Sequence, residues 1–396
     1  MLEQAKQLTP ELIRIRRDLH RHPELSFQEF RTAQRIAETL QEIGGLTIKT
    51  GVGKTGVMAD LGSGDGPTVA IRADMDALPI LEKTGAEYAS TNLGVMHACG
   101  HDGHTAMLLG AAQLLKARFA EENLPGRVRF LFQPAEENAD VEDRSGAPLM
   151  MAEGALDGVD MALALHIRST VPTGQVMIAD GYFCAAVDTF NAWLEAAGGH
   201  GAHPHETNDP IWMIAPVLTA LHSIVSRRID PLHPAVVTIG QVHAGTASNI
   251  IPAEVHLQGT LRSFDSEVRQ QLIDEVERAL SIVEPLGGTY RLKVTRGYPA
   301  GPNHAEVRQW LHQVASDFLG AEAISNGGLG LGGEDFAYMT RAVPGAMFIL
   351  GAAVPDDVQR EHHSNIFDID ENALPIGAAI LAETAWRFLN GTFAFR

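Results

Sequence analysis

The sequence predicts an α/β protein: a mixed, largely parallel sheet flanked by helices, with an α+β domain inserted into it. Two observations carry this. Short apolar, β-rich runs alternate with helical stretches toward both ends of the chain, the rhythm of parallel pairing. Between them the element order changes to β-α-β-β-α-β, the split-βαβ or ferredoxin-like arrangement.

Helical periodicity opens the chain over residues 9–20 and again over 26–43. The second stretch puts Phe27, Ala33, Ile36, Ala37, Leu40 and Ile43 on or near one face. Strands follow at 56–61, 68–74, 127–133 and 161–167, with helices expected at 104–119 and 147–155. The inserted order runs strand 189–197, helix 209–229, strands 235–242 and 254–264, helix 265–284 and strand 289–298. Asp265 or Ser266 is available to cap its second helix. The α/β character returns with a strand at 346–352 and a helix at 371–390. The chain therefore divides into residues 1–185, 186–297 and 298–396, the first and last being two parts of one domain. Its 396 residues also exceed what one ordinary core holds.

Composition narrows the function classes. With 45% hydrophobic and 20% charged residues the chain reads as a soluble globular protein. A net charge of −19 argues against nucleic acid, which needs clustered Lys and Arg. No apolar run reaches the roughly 18 residues that span a bilayer. The first twenty residues lack a signal core and read as an amphipathic helix, so no membrane partner and a cytoplasmic location are expected. Only two cysteines occur, Cys99 and Cys184, which excludes a disulfide framework.

Three strands end in polar groups. "TVAIRAD" delivers Asp74 and then Asp76, "RVRFLFQPAEE" delivers Glu136 and Glu137, and "MALALHI" delivers His166. In open α/β sheets ligands bind beyond the carboxyl ends of strands. In "MHACGHDGHTAMLLG" (96–110), Cys99 and His101 stand two apart in a Gly-flanked turn entering a helix. Thiolate and imidazole together suit zinc and similar ions. The competing reading is a structural or reactive cysteine beside capping side chains. Asp102 and His104 are expected to cap the helix or to orient ligands.

Adjacent carboxylates point in different directions. One of Glu136 and Glu137 can bind a metal while the other takes a proton from water held there. The plain alternative is a solvated acidic loop. His166 alone reads equally as a satisfied core residue, and the pair His362–His363 as surface. "GVGKTG" (51–56) is not a phosphate loop, because position 48 is Ile and a strand follows. No G-x-S-x-G elbow exists. Joint appearance of these groups in one α/β domain points to a metal-dependent hydrolase.

The motifs themselves are recognisable. "RRDLHRHPELSFQE" (16–29), "RADMDALP" (72–79), "MHACGHDGHTAMLLG", "FQPAEE" (132–137), "GGHGAHPH" (198–205), "TASNIIPAE" (246–254), "GTLRSF" (259–264), "LGGEDFAYM" (331–339) and "HHSNIFDIDENAL" (362–374) resemble the M20 metallopeptidase family over nearly the whole chain. The branch they resemble is that of amidohydrolases acting on N-acyl amino acids: hippurate hydrolases, aminoacylases and indole-acetyl-amino-acid hydrolases. The resemblance implies a two-domain fold whose inserted domain serves as lid and dimerisation module. It also implies two divalent metal ions (zinc, or manganese, cobalt or nickel) and usually a homodimer.

Carried over by motif, the implied ligands are Cys99, His101, Glu137, His166 and His363, with Cys99 bridging. His363 is preferred to His362 because it directly precedes Ser364. Glu136 matches the general base and Asp76 the acid that braces the site. His200 matches the histidine that stabilises the oxyanion, often across a dimer interface. Asn249 and Arg262 match groups holding the substrate carboxylate, a task that a bidentate Arg suits. The implied substrate is an N-acyl amino acid or short peptide. A dipeptidase, a carboxypeptidase or an N-acetyl-diaminopimelate deacetylase on the same scaffold is the alternative. A non-catalytic binding protein would lack Glu136 or a ligand, and all are present. Two departures stand out: the acidic "ADVEDRSGAPLMM" (139–151), longer than the usual Gly-Gly-Ala link, and His203, where relatives often carry Met or another apolar residue.

Overall fold

The computed structural model describes residues 1–63, 65–122 and 124–396. They form two compact units. The first comprises Met1–Phe183, Pro302–Gly328 and Asp335–Arg396; the second comprises Cys184–Gly301 and Leu329–Glu334. The short run Leu329–Glu334, expected with the last part of the first domain, packs with the second unit instead.

The chain begins with α1 (Leu2–Gln7), α2 (Thr9–Arg21), α3 (Phe30–Ile43), β1 (Thr47–Val52), β2 (Gly56–Gly62) and β3 (Thr68–Asp74). Next come α4 (His101–Glu121), β4 (Arg127–Gln133), α5 (Gly146–Ala152), β5 (Met161–Pro172), β6 (Val176–Met177) and β7 (Tyr182–Cys184). The second unit holds β8 (Ala186–Glu195), β9 (Gly199–His200), α6 (Pro210–Arg228), β10 (Ala235–Ala244), β11 (Ile250–Ile251), β12 (Glu254–Ser263), α7 (Ser266–Leu280) and β13 (Thr289–Arg296). The chain then runs through β14 (Gly301–Pro302), α8 (Ala305–Leu319), β15 (Ile324–Ser325), α9 (Phe336–Ala342), β16 (Gly345–Ala353) and α10 (Ala373–Leu389).

The first unit is built on one sheet of order β1-β2-β4-β3-β5-β16-β6-β15. Its centre, β4-β3-β5-β16, is parallel throughout. Every residue of β3 is buried, as a parallel strand covered on both faces requires. Ile71, Phe130, Leu163 and Phe348 of the strands share a core with Leu108 and Leu115 of α4 and Leu374 and Ile380 of α10.

Two expected elements are corrected. The second helix starts at Phe30 rather than at residue 26, and Phe27 has a left-handed backbone with φ 62°. Tertiary hydrogen bonds override the periodicity there. The Ser26 hydroxyl donates to Asp76 Oδ2 at 2.7 Å, and Glu29 accepts from Thr55 Oγ1 and the Ala135 N–H. The strand expected at 161–167 continues to Pro172, so His166 is internal to β5. Its flank is nevertheless open on one side. The pairing of β5 with β3 stops at Ala164, while that with β16 continues past His166.

The second unit carries an antiparallel sheet of order β10-β12-β8-β13. β8 and β12 alternate buried and half-buried positions with period two, and their inner face packs on α6 and α7. Phe190, Leu194, Val217, Leu221, Leu257 and Leu272 belong to this second core. Asp265 caps α7, accepting from the N–H groups of Glu267 and Val268. A separate ribbon of β9 and β11 sets His200 opposite Ile250. No helix among the described residues is long and apolar enough to cross a membrane.

Candidate metal centre

The centre lies in the first unit, beyond the ends of β3 and β4 and beside β5. Gly100 makes its first turn possible. Its φ is +96°, and a Cβ there would stand 2.3 Å from Ile167 Cδ1. Only glycine fits, and α4 starts at the next residue, so Cys99 and His101 stand on either side of this turn. β5 contributes His166, whose Nε2 lies 3.5 Å from Cys99 Sγ. The loop after β4 contributes Glu137, whose Oε1 is 3.3 Å from His363 Nε2 and 3.9 Å from His101 Nε2. Donor atoms of Cys99, Glu137 and His363 all lie within 4.8 Å of one another, as do those of His101, Glu136 and Glu137.

Neighbouring groups aim these donors. His101 Nδ1–H donates to the Asp76 carbonyl at 3.0 Å, and His166 Nδ1–H donates to the Ile167 carbonyl at 2.7 Å. Both rings therefore turn an Nε2 lone pair toward the cluster, as metal-ligating histidines do. His101 Nε2 and Glu137 Oε1 are buried and have no hydrogen-bond partner. Two buried polar atoms that face each other at 3.9 Å without a hydrogen bond are costly unless a cation, a proton or a metal ion, joins them. Thiol, imidazoles and carboxylates together suit borderline divalent ions. The electrostatics ask for positive charge as well. Burial, and then the Glu137 carboxylate, push the Cys99 thiol up. Burial opposes charge on His101, but Asp74 and Cys99 outweigh it and hold that imidazole above its ordinary range.

Asp76 fixes the acidic pair from below. It accepts from the N–H groups of Glu136 at 3.2 Å and Glu137 at 3.1 Å, besides Ser26. Ala135, just before the pair, has φ +48°, and His363 has φ +61°. Two loops that carry donors are thus held in left-handed backbone, the kind of strain that collects at working sites. Glu136 is 7% exposed, whereas the His363 side chain is 54% exposed.

The remaining residues of the cysteine–histidine motif are committed elsewhere. His104 Nδ1–H donates to Asp74 Oδ1 at 2.6 Å, and its Nε2 accepts from the Ile167 N–H at 2.9 Å. Both nitrogens are used, so it serves as a strut between β3, α4 and β5. Asp102 does not cap the helix: its Oδ2 accepts from Arg16 Nε and His20 Nδ1, both at 2.8 Å. His362 also approaches Cys99 and His166. Its Nε2 accepts from the Ser169 N–H at 3.4 Å, and burial, with His104 next, pushes its pKa down to about 3.

Several supporting residues escaped the sequence reading. Arg16 and His20 lie on the buried face of α2 with Leu12, Ile15 and Leu19. A cation at a core position of an amphipathic helix was the available signal. Arg72, inside the fully buried β3, donates to Gln133, Asp74 and Asp335. Asp335 in turn accepts from Ser145 Oγ at 2.6 Å and the Ala147 N–H at 3.0 Å, tying down the long acidic segment. Gly146 passes so close that a Cβ would stand 1.7 Å from the Pro134 carbonyl oxygen, which fastens that segment to the loop of Glu136.

His200, Asn249 and Arg262 belong to the second unit. His200 is exposed on β9, and its Nδ1 accepts from the Ala202 N–H at 3.0 Å, which leaves the ring proton on Nε2. The Gly201 N–H donates to the Asn249 carbonyl at 2.8 Å, so the structure brings these two motifs together. Arg262, on β12, donates to Thr260 Oγ1 and to the Leu261 carbonyl, and burial lowers its pKa against the pull of Asp188.

Comparison with known proteins places this arrangement. Residues 70–387 match the family described as Peptidase family M20/M25/M40. The N-acetyl-L-cysteine deacetylase of Bacillus subtilis is 41% identical over 392 residues, covering 97% of this chain and 89% of its own. The N-acyl-L-amino acid amidohydrolase of Geobacillus stearothermophilus is 46% identical over 310 residues, 77% of this chain and 82% of its own. A Bacillus subtilis structure described as a dinuclear metal binding peptidase of the M20 family superposes with a TM-score of 0.83 at 35% identity, covering 97% of this chain and 99% of that one. With family motif, sequence and fold agreeing over most of its length, the chain belongs to peptidase family M20/M25/M40 and is a hydrolase of that family.

Proposed function

We propose that the protein hydrolyses the amide bond of N-acyl amino acids, releasing a carboxylic acid and a free amino acid. The observation that carries this is the convergence of Cys99, His101, Glu137, His166 and His363 donors beside Glu136, with His101 Nε2 and Glu137 Oε1 buried without a hydrogen bond. Those five residues would hold two divalent ions. Bound there, the ions supply Lewis-acid charge that acidifies water and polarises an acyl carbonyl.

The chain's own groups do the rest. Glu136 takes a proton from the attacking water as its oxygen bonds to the acyl carbon. When the C–N bond breaks, Glu136 returns that proton to the leaving amine. Asp76 keeps the Glu136 backbone and the His101 ring in place through the hydrogen bonds described above. The proposed role of His200 is to donate its Nε2–H to the developing oxyanion. Arg262 and Asn249 are proposed to hold the amino-acid carboxylate, a role resting on their motifs. We further propose zinc, or else manganese, cobalt or nickel, as the ions, a homodimer as the assembly and the cytoplasm as the location.

The test is a substrate panel. N-acetyl, N-benzoyl and indole-acetyl amino acids are offered beside dipeptides to protein reconstituted with each of the four metals. Release of free amino acid from at least one N-acyl series is expected. Cleavage of dipeptides with every N-acyl amino acid left intact contradicts the proposal and favours the dipeptidase alternative.

A further inference from the structure

We propose that His203, His205 and Glu206 form a second kind of metal site, one that takes up a divalent ion such as zinc in exchange with solvent. None of the three belongs to the Cys99 cluster, and all are exposed on the second unit. One donor atom from each lies within 4.8 Å of the others, and His205 Nε2 is 3.7 Å from Glu206 Oε1. The imidazole rings of His203 and His205 are 6.1 Å apart. Donors around a tetrahedral zinc stand about 3.3 Å apart, given bonds of about 2 Å. The side chains therefore close by about 1.5 Å at most, which exposed rotamers manage without moving the backbone.

The backbone is already set for this. His203 begins a short 3₁₀ turn over Pro204–Glu206, and proline fixes one of its dihedrals. The His203 N–H donates to the His200 carbonyl at 2.8 Å, and the Glu206 N–H donates to the His203 carbonyl at 3.1 Å. Three donors of zinc-binding type thus project from one hydrogen-bonded turn. No side chain among the three makes a hydrogen bond within the described residues, so none must be given up on binding. The net charge of −19 concentrates cations near the molecule.

The site adjoins His200, whose ring is 5.2 Å from that of His203. An ion there sets positive charge beside His200 and stiffens the 200–206 turn. Excess zinc is therefore expected to slow hydrolysis, a consequence that rests on the oxyanion role proposed for His200. The site itself does not rest on it.

The experiment uses the full protein with its Cys99 cluster loaded. Wild type, His203→Met and Glu206→Gln are dialysed against zinc, and bound zinc is counted by mass spectrometry of the metal. Wild type is expected to hold one zinc more per chain than either variant. Equal zinc in all three overturns the site, whether or not the protein hydrolyses N-acyl amino acids. Both substitutions are at exposed side chains, and matched thermal melts verify folding. In the same samples, slowing by excess zinc in wild type but not in His203→Met supports the link to His200. Equal slowing in both overturns that link.

Discussion

Glu29 shows what a single buried carboxylate adds to the centre. It is fully buried and accepts from the Ala135 N–H and the Thr55 hydroxyl. Burial first, and the charge of Asp76 second, push its pKa from 4.5 up to about 7. The folded protein then holds this proton more tightly than the unfolded chain. Its contribution favours folding fully below about pH 4.5 and is lost as the pH rises through about 7. Glu29→Gln is expected to flatten the fall of stability across that window, by at most about 3 kcal/mol. Urea unfolding at pH 5 and pH 8 measures it, and an unchanged difference between the two pH values rules the explanation out. Nothing local in the sequence marks Glu29 for this role. Its partners are Thr55 and Ala135, 26 and 106 positions away. Cys99, His101 and the Glu136–Glu137 pair were legible for the opposite reason. They are chemically distinctive groups packed into short runs at the ends of apolar strands or the start of an apolar helix.

At the scale of elements, α2 and α4 are joined by a buried ion pair. Arg16 Nε reaches Asp102 Oδ2 at 2.8 Å, with both side chains 0% exposed. Arg16→Met leaves the Asp102 carboxylate buried without its guanidinium. A cost of about 3–5 kcal/mol is expected, read by chemical denaturation of the metal-loaded protein. A loss under about 1 kcal/mol means that His20 alone neutralises Asp102. Asp102 follows His101 directly, so the same variant is expected to bind metal more weakly. Gly146→Ala tests the other support. The new methyl group meets the Pro134 carbonyl, and an overpacking cost of about 1–3 kcal/mol with slower hydrolysis is expected. Periodicity read these elements well where packing alone decides, as in α10 and β3. It failed at residues 26–29, where apolar spacing continued but Ser26 and Glu29 turn inward to serve Asp76 and Ala135. It also cut β5 short, because His166 reads as a strand end while β16 goes on pairing beyond it.

For the molecule as a whole, metal and stability are linked. Ions bound by the folded cluster and not by the unfolded chain stabilise the fold, by about 2.7 kcal/mol at a hundredfold excess over Kd. Chelation is expected to lower the Tm, and readdition of the ion to restore it. An unchanged Tm on full metal removal means that the buried donors are satisfied some other way. The hydrolytic proposal turns on one residue within that loaded cluster. The deciding measurement is the rate of amino-acid release by Glu136→Gln against wild type, each with metal content counted in the same sample. Retained metal with turnover reduced by about 10²–10⁴ is the predicted result. Turnover near that of wild type, at full metal content, contradicts the role of Glu136 and with it the proposed mechanism.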